Sequence, residues 1–392
     1  MNRVAGLVIC LVMLSVSLSG CSERRSEKTQ LAPSELAKEV RSALAEPAYL
    51  DRNTRLAAAL RQLNPDNVDA VADVYTELLK DIEESEVQPF FDAWANFDAP
   101  AAFGYAMQIP YDGISQRAQR SAIYAWAIRD ALAASVAADQ AAEKRRRNGL
   151  MFYQALVEGW AISGQGGLQD YIVAGRSAED PGQLILAAQP EIYLRDGADG
   201  LLEWSEEIMQ AATETGPRMK AFRYAVRTAG FRDPHAAIPF VLRHYGEDYA
   251  EQGPRVLVET WMQKEPEPAL EWLRSEAPES ARAAALGIAV TSWLYRDMNA
   301  ARSWLDSVPV GDPYYQPAFD SLANRIAKHA PKKAIEWCRR GQTPEVNRTC
   351  LRQVAIAWYK EDPISAGLWM ENESGLPAED LVSVRQRARQ GR

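Results

Sequence analysis

Residues 286–309 read LGIAVTSWLYRDMNAARSWLDSVP. Leu286, Val290 and Trp293 recur at the three- and four-residue spacing of one face of a helix. Asp297 interrupts that pattern, Ala301 and Trp304 resume it, and Pro309 stops it. An Asp at this point predicts a helix N-cap, because its carboxylate accepts hydrogen bonds from the orphan N–H groups of the first turn. The stretch therefore predicts two helices, A and B, joined by a tight corner.

The same pattern runs along most of the 392 residues. Trp94, Trp126, Trp160, Trp261, Trp293 and Trp358 are separated by 32, 34, 101, 32 and 65 residues, all near multiples of 33, and Tyr193, Ala229 and Ile326 fill the gaps. We call these nine the lead residues. The other five tryptophans, Trp204, Trp272, Trp304, Trp337 and Trp369, each lie 11 residues after a lead residue. Four residues after the lead come Asp98, Asp130, Asp233, Glu265, Asp297 and Asp362, and Pro234, Pro266, Pro331 and Pro363 come next. Pro suits the first helical position, where its missing N–H costs nothing. At offset 8 stand Ala102, Ala134, Ala237, Ala269, Ala301, Ala334 and Ala366, with Leu168 and Leu201 in the other two units. A small residue on the helix face that carries the Trp lets a neighbouring helix approach closely. Pro110, Gly246, Pro278 and Pro309 mark where helix B stops. Nothing alternates with period two, so no sheet is expected.

Segment 34–93 reads as a degenerate first unit, with Leu60, Asn64-Pro65 and an amphipathic run to Leu79. The fold class predicted is all-α, an α-α superhelix or solenoid of about ten helical hairpins of roughly 33 residues over 34–380. A polar tail is expected at 381–392. A hairpin of this kind cannot bury its apolar face alone, so neighbours are expected to stack into a right-handed superhelix or an arc with a long concave surface. The hairpins resemble tetratricopeptide repeats in length, in the helix-B Ala and in the closing Pro, and depart from that family in lacking its Trp-x2-Leu-Gly-x2-Tyr pattern.

The N-terminus reads as an address. Arg3 precedes an apolar run from Val4 to Leu18, which is too short to span a bilayer and fits a secretion signal over 1–20. Leu18-Ser19-Gly20-Cys21 resembles the lipobox of bacterial lipoproteins. That resemblance implies acylation of the Cys21 thiol, cleavage before it and, with Ser22 following, sorting to the outer membrane. Several acyl chains on one residue anchor stably, whereas one binds reversibly. Residues 21–33 then form a lipidated polar tether, and the protein is expected to face the periplasm.

Composition sets further limits. Lys+Arg is 44 against Asp+Glu 53, a formal net charge of -9, which argues against nucleic acid as a partner because phosphate neutralisation needs clustered cations. His235, His244 and His329 are isolated, and no His-Glu-x-x-His, paired-Cys zinc spacing or P-loop occurs. His235 and His329 fall in inter-helix turns. Gly164-Gln165-Gly166-Gly167 falls where other units carry the corner and reads as an elongated turn, not a phosphate loop. Lys144-Arg145-Arg146-Arg147 reads as a solvated helix end, with contact to anionic lipid or lipopolysaccharide phosphate the alternative. Glu206-Glu207, Glu83-Glu84, Glu265 and Glu267 offer carboxylates, but no pair is distinguished as a glycan-cleaving acid and base. The periodic placement of the tryptophans predicts core packing, with a sugar-stacking platform as the alternative. No catalytic residue, metal or cofactor is expected.

Once the signal carrying Cys10 is removed and Cys21 is acylated, Cys338 and Cys350 are the two remaining thiols. In an oxidising periplasm they are expected to form a disulfide across the turn between two helices. The function expected is that of a scaffold or assembly or secretion accessory that meets envelope proteins on its concave face. A glycan-binding or glycan-processing α/α-toroid is the rival.

Overall fold

A computed structural model describes residues 30–78, 80–110, 115–144, 149–175, 180–340 and 344–390. The signal sequence, Cys21 and Arg145 to Arg147 lie outside the described residues. Among the described residues there are twenty α-helices and no strand, so the fold is all-α. No described helix is long and apolar enough to cross a membrane.

The chain divides into two compact units, one ending at Ile82 and one beginning at Glu83. The first holds α1 (Pro33–Leu44), α2 (Tyr49–Leu60) and α3 (Val68–Leu78), with α1 packed on both partners. Leu36, Val40, Leu56, Val71 and Tyr75 are its buried centre. The Arg41 guanidinium pairs through both terminal nitrogens with Glu77, joining α1 to α3. Asn64-Pro65 lies in the turn before α3. There the buried Asn67 side chain accepts from Asn64 N at 2.9 Å and donates to Gln62 O at 2.9 Å.

The second unit contains α4 (Glu84–Gln108), α5 (Ser115–Arg129), α6 (Ala131–Lys144), α7 (Gly149–Ser163), α8 (Leu168–Val173), α9 (Pro181–Ala211) and α10 (Thr215–Arg232). It continues through α11 (Pro234–His244), α12 (Gly253–Trp261), α13 (Pro266–Ser275), α14 (Glu279–Arg296), α15 (Met298–Ser307) and α16 (Gln316–Ile326). It ends with α17 (Pro331–Cys338), α18 (Pro344–Glu361), α19 (Pro363–Asn372) and α20 (Ala378–Gln390). Helix-on-helix contacts skip along the chain: α5 packs on α7, α7 on α9, α10 on α12, α12 on α14, α14 on α16 and α16 on α18. The A helices thus lie each on the next, and the shorter B helices pack on their flanks. This is the arrangement of a helical repeat.

One residue makes each corner. At offset 4 the backbone leaves the helix at Asp98 (φ -152, ψ 78), Asp233 (-144, 82), Glu265 (-132, 78), Asp297 (-146, 88), Ala330 (-140, 56) and Asp362 (-137, 85). Its N–H closes the last turn of helix A on the lead carbonyl, as from Asp297 N to Trp293 O at 2.7 Å. Its C=O opens helix B by accepting from the offset-8 N–H, as from Ala301 N at 3.1 Å. The Asp carboxylate caps at the same time: Asp98, Asp130, Asp297 and Asp362 accept from the N–H three residues on at 2.9–3.0 Å. A following Pro enforces the break by excluding the helical conformation from the residue before it. Two corners are made by glycine at positive φ, Gly164 (φ 71) and Gly197 (φ 73), a conformation that costs other residues Cβ strain. Gly197 kinks α9, so that its first part serves as an A helix and residues 198–211 as the following B helix.

All seven offset-8 alanines are 0% exposed. The A helices also approach closely: a Cβ on Gly159 would stand 2.5 Å from Tyr124 O. Nine of the eleven tryptophans are buried, and Trp126 and Trp304 are half-buried. In five units the aromatic lead and offset-11 rings pair, with centroids 5.2–6.4 Å apart for Trp94–Tyr105, Trp160–Tyr171, Trp261–Trp272, Trp293–Trp304 and Trp358–Trp369. The A and B helices of a hairpin meet through these rings.

The far C-terminus departs from expectation. Residues 381–390, expected as part of a polar tail, belong to α20, which packs on α18. Val384 and Ala388 make a buried i, i+4 stripe, and buried Asp380 pairs with Arg348 at 2.5 Å and Arg352 at 3.3 Å. A segment rich in Arg reads as polar, but three such positions suffice to seat it.

Candidate functional site

The chemistry-bearing residues singled out in the sequence are mostly structural. Cys338 and Cys350 are joined in a disulfide, Cα atoms 5.6 Å apart, tying the end of α17 to α18. His235 and His329 lie exposed at corners, and His235 sets its ring edge-on to Trp261 at 5.2 Å. The Gly164–Gly167 segment is an elongated turn. Its carbonyls at Gln165 and Gly166 accept from Trp160 Nε1 at 3.0 and 3.2 Å, and the Gln165 amide donates to Ala127 O and Ile128 O in the preceding corner. Among the described residues no group of three or more His, Cys, Asp or Glu is placed to hold a metal.

What the sequence reading missed is a pair of grooves between consecutive B helices. The first lies between the Ala198–Ala211 part of α9 and α11, with a volume of about 430 Å³; Asp199, Glu203 and Glu206 line one wall and Phe240 and Arg243 the other. The second lies between α13 and α15, with a volume of about 460 Å³; Glu267, Glu271 and Arg274 line one wall and Trp304, Ser307 and Tyr315 the other. The wall residues occupy the same offsets, 6, 10 and 13, in units led by Tyr193 and Trp261, and Phe240 and Trp304 both stand at offset 11 of the next unit. It is one feature of the repeat, present twice.

In each groove the innermost charge is held by neighbouring side chains. Glu206 accepts from His244 Nε2 at 3.0 Å and Arg243 Nη1 at 3.4 Å, and His244 Nδ1 meets the Tyr249 hydroxyl at 3.0 Å. Burial holds that phenol's pKa above its usual value, with the Arg218 guanidinium 4.3 Å from its ring. Phe240 stacks on Phe222 of α10 at 5.4 Å, giving the groove a rigid aromatic floor. In the second groove Arg274 donates to the Tyr315 hydroxyl at 2.7 Å and pairs with Asp312 at 3.4 Å. Trp304 meets Tyr315 edge-on at 5.8 Å. The outer carboxylates, Asp199, Glu203, Glu267 and Glu271, remain exposed. Each groove is therefore an aromatic floor beneath two solvent-facing carboxylates at helical spacing, a geometry suited to binding.

The signal for the grooves was present as acids at offsets 6 and 10, but only the packing of adjacent B helices turns them into a wall. Cations at the ends of A helices were missed likewise. The Arg195 and Arg296 guanidiniums donate to Ala161 O and Met262 O at the end of the preceding A helix, and Arg129 reaches back to Asp92 O at 2.8 Å.

No protein-family model matches the chain, and no curated protein or solved structure matches it either.

Proposed function

We propose that this chain is a periplasm-facing lipoprotein anchored to the outer membrane at Cys21, whose helical repeats form a superhelical scaffold for other envelope proteins. The single observation that supports the scaffold reading is the recurrence of one groove geometry at equivalent offsets, 6, 10 and 13, on two B helices two units apart, those of the units led by Tyr193 and Trp261. Repeats of this kind offer extended surfaces built from the same position in each unit. Exposed aliphatic pairs on other B helices, Leu132 with Val136 on α6 and Ile364 with Leu368 on α19, add apolar contact area.

Two experiments test it. Cys21→Ala is expected to release the protein from the outer-membrane fraction, and unchanged lipid labelling and fractionation would exclude the anchor. Photo-crosslinkers placed in cells at Glu203, Glu271, Leu132 and Ile364 are expected to yield discrete protein adducts. Absence of protein adducts at all four sites would exclude the scaffold. The glycan-binding or glycan-processing reading keeps one supporting observation, the half-buried Trp304 indole beside Glu271 in the second groove.

A further inference from the structure

We propose that the two equivalent grooves together hold an extended basic segment of a partner polypeptide, each taking the side chain of a Lys or Arg. The proposal rests on the protein-binding reading above and specifies the partner's chemistry.

Charge is the first argument. In the first groove Glu206 is occupied by His244 and Arg243, which leaves Asp199 and Glu203 facing solvent. In the second groove the one wall cation, Arg274, is bound to Tyr315 and Asp312, so Glu267 and Glu271 keep their charge turned outward. Each wall thus presents two carboxylates to any occupant, on a chain whose formal net charge is -9. A cationic segment is drawn to such a surface before contact is made.

The floors select among cations. The half-buried Trp304 offers aromatic surface beneath the carboxylates of the second groove, and Phe240 and Tyr315 back the two grooves as buried rings. A Lys or Arg side chain fits such a groove: its methylene stem lies along the apolar lining and its charged head reaches the acids. A neutral sugar would stack on Trp304 and donate hydroxyls to the acids, but it would leave their negative charge uncompensated.

Repetition supplies the affinity. One groove offers a few exposed contacts, each weak in water. Two grooves engaged by one chain make the second contact intramolecular, which raises the total without any new interaction.

The test uses the full mature chain and a fluorescently labelled peptide of alternating Lys and Ser, about twenty residues and so on the order of 60 Å when extended. An alternating Glu and Ser peptide and a chitin oligosaccharide serve as comparisons, and fluorescence anisotropy is read at low and raised salt. The basic peptide is expected to bind and to weaken with salt. Asp199→Asn with Glu203→Gln, or Glu267→Gln with Glu271→Gln, is expected to weaken it about fivefold to tenfold. All four substitutions together should remove measurable binding and its salt dependence while leaving the melting temperature unchanged. No binding of the basic peptide, equal binding of the acidic one, or indifference to the four substitutions overturns the proposal. In those cases persisting protein crosslinks at Glu203 and Glu271 would leave the scaffold reading intact. Oligosaccharide binding that Trp304→Phe weakens would overturn the proposal in favour of the glycan reading.

Discussion

The Trp293 and Trp304 rings lie 6.0 Å apart at 45°. The equivalent partners of Trp261 and Trp358 are buried, yet Trp304 is half-buried, because its outer edge lines the groove against α13. One position of the repeat thus serves as core in most units and as groove wall in this one. Truncation should separate the roles. Trp272→Ala and Trp337→Ala are each expected to cost about 3–5 kcal/mol, the range for a large aromatic removed from a core. Trp304→Ala should cost roughly 1–3 kcal/mol, since part of its ring already meets water. Thermal unfolding of the three variants checks the order, and a Trp304 variant as damaged as the others would show that its exposed edge counts for nothing.

Ala330 holds the corner conformation without a capping side chain, between Ile326 and Pro331. Ala330→Asp places a carboxylate where Asp297 and Asp362 cap their own helices. A gain of about 1 kcal/mol is expected, and Asp297→Ala should lose a similar amount. Paired denaturant curves would show it as opposite shifts in midpoint.

Two carboxyls give opposite pH dependence. Burial raises the Asp320 pKa from 3.8 to about 6, partly offset by the Gln316 amide that donates to it at 2.6 Å. The folded chain then holds a proton that the unfolded chain has released, so Asp320 destabilises as pH rises from about 4 through 6. A shift of this size corresponds to about 3 kcal/mol at most, and the half-buried side chain's contact with water reduces it to roughly 1–2 kcal/mol. Asp320→Asn keeps the acceptor for Gln316 and should raise the melting temperature at pH 7.5 but not at pH 4. Asp380 behaves in the reverse sense: hydrogen bonding from Arg348, reinforced by the charges of Arg352 and Arg348, holds its pKa below the usual carboxylate value. Its contribution is present at neutral pH and is lost on acidification. Asp380→Asn should therefore loosen α20 at pH 7, seen as faster amide exchange over 378–390, and have little effect at low pH.

The Cys338–Cys350 disulfide closes a loop of 12 residues. Removing both thiols as alanines is expected to cost about 3 kcal/mol, chiefly through the freedom returned to the unfolded chain. Peptide mapping without reduction should recover the two cysteines in one crosslinked fragment, and two separately alkylated peptides would refute the pairing.

Much of this was readable before any coordinates. The tryptophan spacing located most A–B pairs of the second unit, and Asp and Pro residues located their corners apart from those at Gly164 and Gly197, because capping and proline geometry act within a few residues of chain. Tyr105, Tyr171 and Phe240 stand at offset 11 without the tryptophan that marks the position elsewhere, since packing there accepts any large ring. His244 looked isolated because Glu206, its partner, lies 38 residues earlier in the preceding unit.

The sequence by itself determined that the described chain is all helical, where its corners fall and which alanines allow close packing. Each of those features depends on local hydrogen bonding, φ preference and the period of one helix face. Tertiary structure alone decided that α1 to α3 form a separate unit, that α20 is seated on α18, and that acids harmlessly spaced along α9 and α13 become walls of a groove. Those outcomes depend on which side chain from a hairpin some thirty residues away stands opposite, a matter of register between helices that no local pattern specifies.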